Sequence, residues 1–229
     1  MSLQEQANST EDDDDCRLPA DTLLVLQEFL REKEQREQAE QSSESCEKHF
    51  EENWQLSQFW YNESTKQRLA SVVKYFRESL AADGESIKVA LLSCPSLYQH
   101  VKDVHPNVTL FEFDDRFASI GPDFQHFDYN RAQEATYLDD FRESFDVLIA
   151  DPPFLSEECI EKIGLIVRKL TKPDNSKIIL CSGFAVRDWA KKFLNLDICK
   201  FEPEHERNLG NQFSSYANFD LDQILEQVH

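Results

Sequence analysis

The chain is poor in glycine, with five in 229 residues and no Gly-x-Gly anywhere. A Rossmann dinucleotide site needs glycine where the backbone comes close to the pyrophosphate, so an NAD or FAD site of that kind is not expected. Basic residues are also few. The 24 Lys and Arg face 44 Asp and Glu, for a net charge of −20. Nucleic-acid affinity rests on cations that neutralise phosphates, so this balance disfavours DNA or RNA and favours a basic protein partner. Part of the excess is local: Glu11 and the run Asp12 to Asp15 read as a solvated, disordered leader. The remainder is still acidic. No apolar run approaches the roughly 18 residues of a membrane span, and the N-terminus lacks a basic flank followed by an apolar core. The expectation is a soluble, cytoplasmic protein, taken to be a monomer. Cysteines at 16, 46, 94, 159, 181 and 199 form no Cys-x-x-Cys pair and have no histidine at ligand spacing. Reduced, mostly buried thiols are expected, with no disulfide frame and no metal.

What is present suits one α/β domain with an extension. Three parts are expected: the leader 1–17, a helix and linker over 18–49, and a domain over 50–229. Leu23, Leu26, Phe29 and Leu30 predict a helix from near Asp21 that fades through a polar stretch into a linker at 41–45. Leu69, Val72, Val73, Phe76 and Leu80 share one helical face, with a stop at Asp83-Gly84. Strands are expected at 87–92, 108–113, 124–127, 145–150, 177–181, 198–201 and 214–219, and helices at 137–142, 156–170 and 186–194. Alternation of this kind predicts a mostly parallel sheet with helices on both faces. The last two strands, with no helix between them, predict an antiparallel hairpin at the edge.

The most informative stretch is Phe145-Asp146-Val147-Leu148-Ile149-Ala150-Asp151-Pro152-Pro153-Phe154. An apolar strand runs into an acid and then two prolines, which cannot continue a ladder. Asp151 and Phe154 are thereby presented on a stiff turn at the carboxyl end of a strand, where open α/β sheets bind ligands. The bland alternative is an Asp that caps a turn or the next helix. Other candidates follow the same logic. Glu112 and Asp114 close the second expected strand and could accept ribose hydroxyls. Asp128 closes the third, as a ligand acceptor or a turn aspartate. Trp54, Phe59, Trp60 and Tyr61 lie within eight residues of one another without a clean period. They either latch the N-terminal arm to the core or, with Gln58 and Phe59, line a pocket. The connection 203–213 is polar, which suits a solvent loop.

Asp151-Pro152-Pro153-Phe154 resembles the [Asp/Asn]-Pro-Pro-[Tyr/Phe] signature of S-adenosylmethionine-dependent amino methyltransferases, whose acceptors are adenine amines, glutamine amides or lysines. The run from Glu52 to Tyr61, Glu-Asn-Trp-Gln-Leu-Ser-Gln-Phe-Trp-Tyr, resembles the signature of the eukaryotic lysine methyltransferases that modify translation elongation factor 1-alpha. That branch was formerly grouped with N6-adenine-specific DNA methyltransferases, and the turn Ser93-Cys94-Pro95-Ser96 is also similar to its pattern. The resemblance implies a Rossmann-like, seven-strand class I methyltransferase sheet with a C-terminal antiparallel hairpin and an N-terminal helical extension. It implies S-adenosylmethionine as cofactor, held by Gln58, Phe59, Ser93, Pro95, Glu112, Asp128 and Asp151. Asp151 and Phe154 would be catalytic. Trp54, Pro152, Pro153, Phe154 and Asn208 would meet the substrate, elongation factor 1-alpha. Two rivals stand beside this reading. An adenine methyltransferase would share the four-residue motif but should bring a basic channel. A non-catalytic acidic adapter would suit the missing glycines, but not the rigid acid and ring.

Overall fold

The computed structural model of the chain describes residues 52–53, 56–80, 86–207 and 212–228. The expected leader, N-terminal helix and linker, the Asp83-Gly84 stop, Trp54 and Asn208 lie outside these residues. Helix α1 (Glu63–Leu80) starts where Asn62 Oδ1 accepts the Thr65 amide at 2.9 Å, and it buries Leu69, Val72, Val73 and Phe76. Strand β1 (Val89–Leu92) follows, then α2 (Tyr98–Val104), β2 (Val108–Glu112), β3 (Phe124–His126) and β4 (Val147–Ala150). Every residue of β1 and of β4 is buried, as expected for strands covered on both faces.

Helix α3 (Glu157–Leu170) is capped by the Ser156 side chain, which accepts the Cys159 amide. Glu157 and Glu158 in its first turn and Arg168 and Lys169 in its last suit the helix dipole. Its buried stripe of Ile160, Ile163, Val167 and Leu170 packs into one apolar cluster with Leu148, Leu180 and Tyr216. Then come β5 (Lys177–Gly183), α4 (Arg187–Trp189), β6 (Asp197–Ile198), β7 (Phe213–Ala217) and α5 (Leu221–Gln227). Among the described residues no helix is long and apolar enough to cross a membrane.

The seven strands lie in the order β3-β2-β1-β4-β5-β7-β6. The first five are parallel, and β7 runs antiparallel to both β5 and β6. The chain leaves β1 toward β2 and later returns to β4 on its other side. A crevice therefore opens at the carboxyl ends of β1 and β4.

Several boundaries differ from the sequence reading, each for a local reason. The strand expected at 198–201 stops at Ile198, because the amides of Lys200 and Phe201 donate to the Asp222 carboxylate instead of a ladder. The last strand ends at Ala217, where the Asn218 side chain takes over by accepting from the Ile178 amide. The helix expected at 137–142 is a single tight turn, Asp139–Phe141, because Leu138 is left-handed with φ 58°. The helix expected at 186–194 is three α-helical residues running into a wide π-turn, Ala190–Leu194. Helix α5 was not anticipated; at seven residues it is too short for periodicity to reveal.

Candidate active site

Where β1 ends, Ser93 adopts φ 55°, a conformation that only glycine takes without a steric penalty. Its amide donates to the Phe111 carbonyl at 2.8 Å. Pro95 then opens a short turn with its φ already set and no amide to satisfy. The sharp turn a glycine would give is thus present, held in a serine. Beside it the Asp151 amide donates to the Leu92 carbonyl at 2.9 Å, which ties the end of β4 to the end of β1.

A cavity of about 450 Å³ lies over these strand ends. That is within the usual range for a small-molecule pocket. Gln58, Phe59, Ser93, Pro95, Glu112, Asp128, Asp151, Pro152, Pro153 and Phe154 all line it. So do four residues for which no role was read from the sequence: Phe113, Tyr129, His205 and Phe213. Trp54 and Asn208 cannot be placed, being outside the described residues.

At the β2 end, Glu112 and Asp114 are both buried. The Gln58 amide donates to both carboxylates at 3.2 Å. Arg116 donates from Nε to Asp114 at 2.7 Å and from Nη2 to the Gln58 carbonyl oxygen at 3.1 Å. Burial pushes the Glu112 carboxyl up, against hydrogen bonds from the Asp114 amide and Gln58 that favour its charged form. Burial also opposes the Asp114 charge, but the bonds from Arg116 outweigh it and hold that carboxyl below its usual value. Asp128 does two things at once: it lines the cavity, and its Oδ1 accepts the Asn130 amide at 2.9 Å, capping a tight turn.

At the β4 end, Asp151 Oδ2 accepts the Tyr61 hydroxyl at 2.7 Å. Burial raises the Asp151 carboxyl from 3.8 to about 7; the Tyr61 bond lowers it and the Glu112 charge adds to the rise. Phe154 is 48% exposed, with its ring edge-on to Tyr129 at 6.1 Å. Unlike a cap, Asp151 leaves the next helix to Ser156.

Tyr61 is fixed from the other end of the domain. It forms an antiparallel bridge with His205, in the connection between β6 and β7. The Asn62 amide donates to the Glu204 carbonyl at 2.9 Å, the Glu206 amide to the Trp60 carbonyl at 2.9 Å, and the Trp60 amide to the Glu52 carboxylate at 2.9 Å. The segment is therefore a pocket wall joined to this connection, which is more than a solvent loop; the N-terminal arm that it was expected to latch lies outside the described residues. The His205 ring packs against Tyr61 at 5.0 Å and Phe213 at 4.6 Å. Burial lowers its pKa to about 4, so the imidazole is neutral in ordinary buffers. The aromatic crowding before α1 was a signal that could have found Tyr61. His205 had none, because its role depends on a partner far away in sequence.

A parallel sheet turned back at β7, with acids at its strand ends and an Asp-Pro-Pro-Phe turn over the switch point, is the build of a class I S-adenosylmethionine-dependent methyltransferase. The family described as "probable N6-adenine methyltransferase" matches residues 52–221, and the chain belongs to it. A protein-lysine N-methyltransferase of Drosophila melanogaster is 48% identical over 220 residues, covering 93% of this chain and 99% of that one. An EEF1A lysine methyltransferase 1 of Mus musculus is 41% identical over 93% of this chain and 96% of its own. That of Homo sapiens is 39% identical over 92% and 95%. Among solved structures, human methyltransferase-like protein 13 in complex with SAH aligns over 73% of this chain and 92% of that one, at 14% identity and a TM-score of 0.45, too loose a likeness to bear weight.

Proposed function

We propose that the protein transfers a methyl group from S-adenosylmethionine to a lysine of translation elongation factor 1-alpha in the cytoplasm. One observation carries the reading: Asp151, Pro152, Pro153 and Phe154 share a cavity with Glu112, a buried acid at the end of β2. The names of the relatives point to lysine, and the net charge of −20 favours a basic protein over a phosphate backbone.

The residues present suit the cofactor. Glu112 offers carboxylate oxygens to ribose hydroxyls, Asp128 offers one to an exocyclic amine, and the exposed Phe113 ring lines the same cavity. Gln58, Phe59 and the turn at Ser93 and Pro95 close around them. When bound, S-adenosylmethionine supplies an electrophilic sulfonium methyl. The chain's own work is to position the nucleophile. A lysine in water is protonated, with a pKa near ~10.4, and has no lone pair to attack with. Asp151 orients the amine and takes up its proton; a carboxyl raised to about 7 is a better acceptor than an ordinary aspartate. Pro152 and Pro153 hold that carboxyl in place, and Phe154 offers a π face to the methylated cation.

The test is to incubate the chain with methyl-labelled S-adenosylmethionine and cytosolic extract, with and without nuclease, beside Asp151→Ala. Label is expected in a nuclease-resistant band of the size of elongation factor 1-alpha, and absent with the variant. Label lost on nuclease treatment would establish the adenine reading that the family's description carries. No label at all would favour the adapter.

A further inference from the structure

Tyr61 lies behind the cavity wall, fully buried, with its hydroxyl on Asp151 and its backbone bridged to His205. Its amide also reaches Ser96 Oγ at 3.5 Å. This residue is held by its backbone at the connection before β7 and at the turn after β1. Resting on the transfer reading above, we infer that Tyr61 is a positioning residue: its phenol occupies Oδ2 of Asp151, leaves Oδ1 to the incoming amine, and favours the ionised carboxylate.

The groups facing Asp151 divide clearly. From β2, the Glu112 charge opposes ionisation. Cys94 after β1 and Cys181 on β5 are thiols that burial keeps protonated, so they add no charge. Burial likewise keeps the Tyr61 phenol protonated, which makes it a standing donor. A donor that cannot ionise at working pH stabilises a neighbouring carboxylate over the neutral acid. It also removes one of two equivalent oxygens from competition, so the amine meets a single acceptor in a fixed direction. Transfer needs both effects, because a neutral Asp151 would take no proton and a freely turning one would hold the amine in several poses.

The experiment measures methyl transfer to elongation factor 1-alpha across pH for the full chain and for Tyr61→Phe. The Asp151 carboxyl is titrated in parallel by infrared difference against Asp151→Asn. Removing a hydrogen bond to a charged group should move the break near pH 7 upward by about one unit. The KM for S-adenosylmethionine should stay the same, and Tyr61→Phe should add no further loss in the Asp151→Asn background. Replacing Tyr61 alone by 3-fluorotyrosine, a more acidic donor of the same shape, should move the break downward; this arm decides the matter if Tyr61→Phe fails to fold. A rate profile that is scaled but not displaced, together with a carboxyl titration that stays in place, would overturn the inference. Displaced carboxyl titration with no label on any lysine would leave the coupling standing and sink the substrate reading instead.

Discussion

At the end of β2, Glu112 and Asp114 share the Gln58 amide, with Arg116 closing the network; at the end of β4, Asp151 has the Tyr61 phenol. Both ends bring a carboxyl group to the same cavity, Glu112 and Asp151, but they are prepared differently. The β2 end has several donors that a ligand's hydroxyls can replace one at a time, so it is suited to binding. The β4 end balances near neutrality, so it is suited to exchanging a proton. Burial is common to both, and the donors decide what burial is used for.

Breaking the β4 end should have the largest effect. Asp151→Ala is expected to lower transfer by about 10²- to 10⁴-fold, the usual range for a group that handles a proton, while the melting curve remains cooperative. Next is Glu112→Gln, which removes a charged acceptor and should weaken S-adenosylmethionine binding by about ten- to a hundredfold by calorimetry. Its effect on turnover at saturating cofactor should be much smaller; equal losses in both would erase the contrast between the two ends. Gln58→Ala strips the shared donor from two buried carboxylates and should cost about 1–3 kcal/mol in denaturant unfolding.

The smallest effect is a linkage effect. A folded carboxyl raised from 3.8 to about 7 holds a proton that the unfolded chain has released between those values. Its contribution to stability is fully present below pH 3.8 and is lost as pH rises through 7. Because Asp151 is only partly withdrawn from solvent, the loss should be about 1–2 kcal/mol. Asp151→Asn, which does not titrate, should therefore lose less stability than the parent between pH 4 and pH 8. Matching pH profiles for the two proteins would show that Asp151 ionises normally.

Much of the β4 end was legible because it is local. A β-branched strand, an acid and two prolines fix a strand stop and its presented side chains within ten residues. The acids closing β2 and β3 were legible for the same reason, although Asp128 proved to cap a turn as well as line the cavity. The polar wiring was not legible. Gln58 reaches residues 54 and 56 positions away, and Tyr61 reaches Asp151 across 90. Pattern along a chain carries no information about such pairings until the sheet order is known. The short β6 failed for a related reason, since its ladder was displaced by Asp222, a side chain beyond the expected hairpin.

The latch between the segment before α1 and the β6–β7 connection has a consequence for how the protein is made. Its contacts join residues far apart in the chain, 142 positions in the case of Asn62 and Glu204. Synthesis runs from the N-terminus, so β1 to β4 and Asp151 emerge well before His205 can pair with Tyr61. A nascent or truncated chain that stops before His205 lacks the bridge that seats the phenol on the carboxylate. Long-range closures of this kind also slow folding, because the loop must be closed before its contacts reward it. The bond that seats the phenol on Asp151 thus depends on a stretch of chain made long after Asp151 itself.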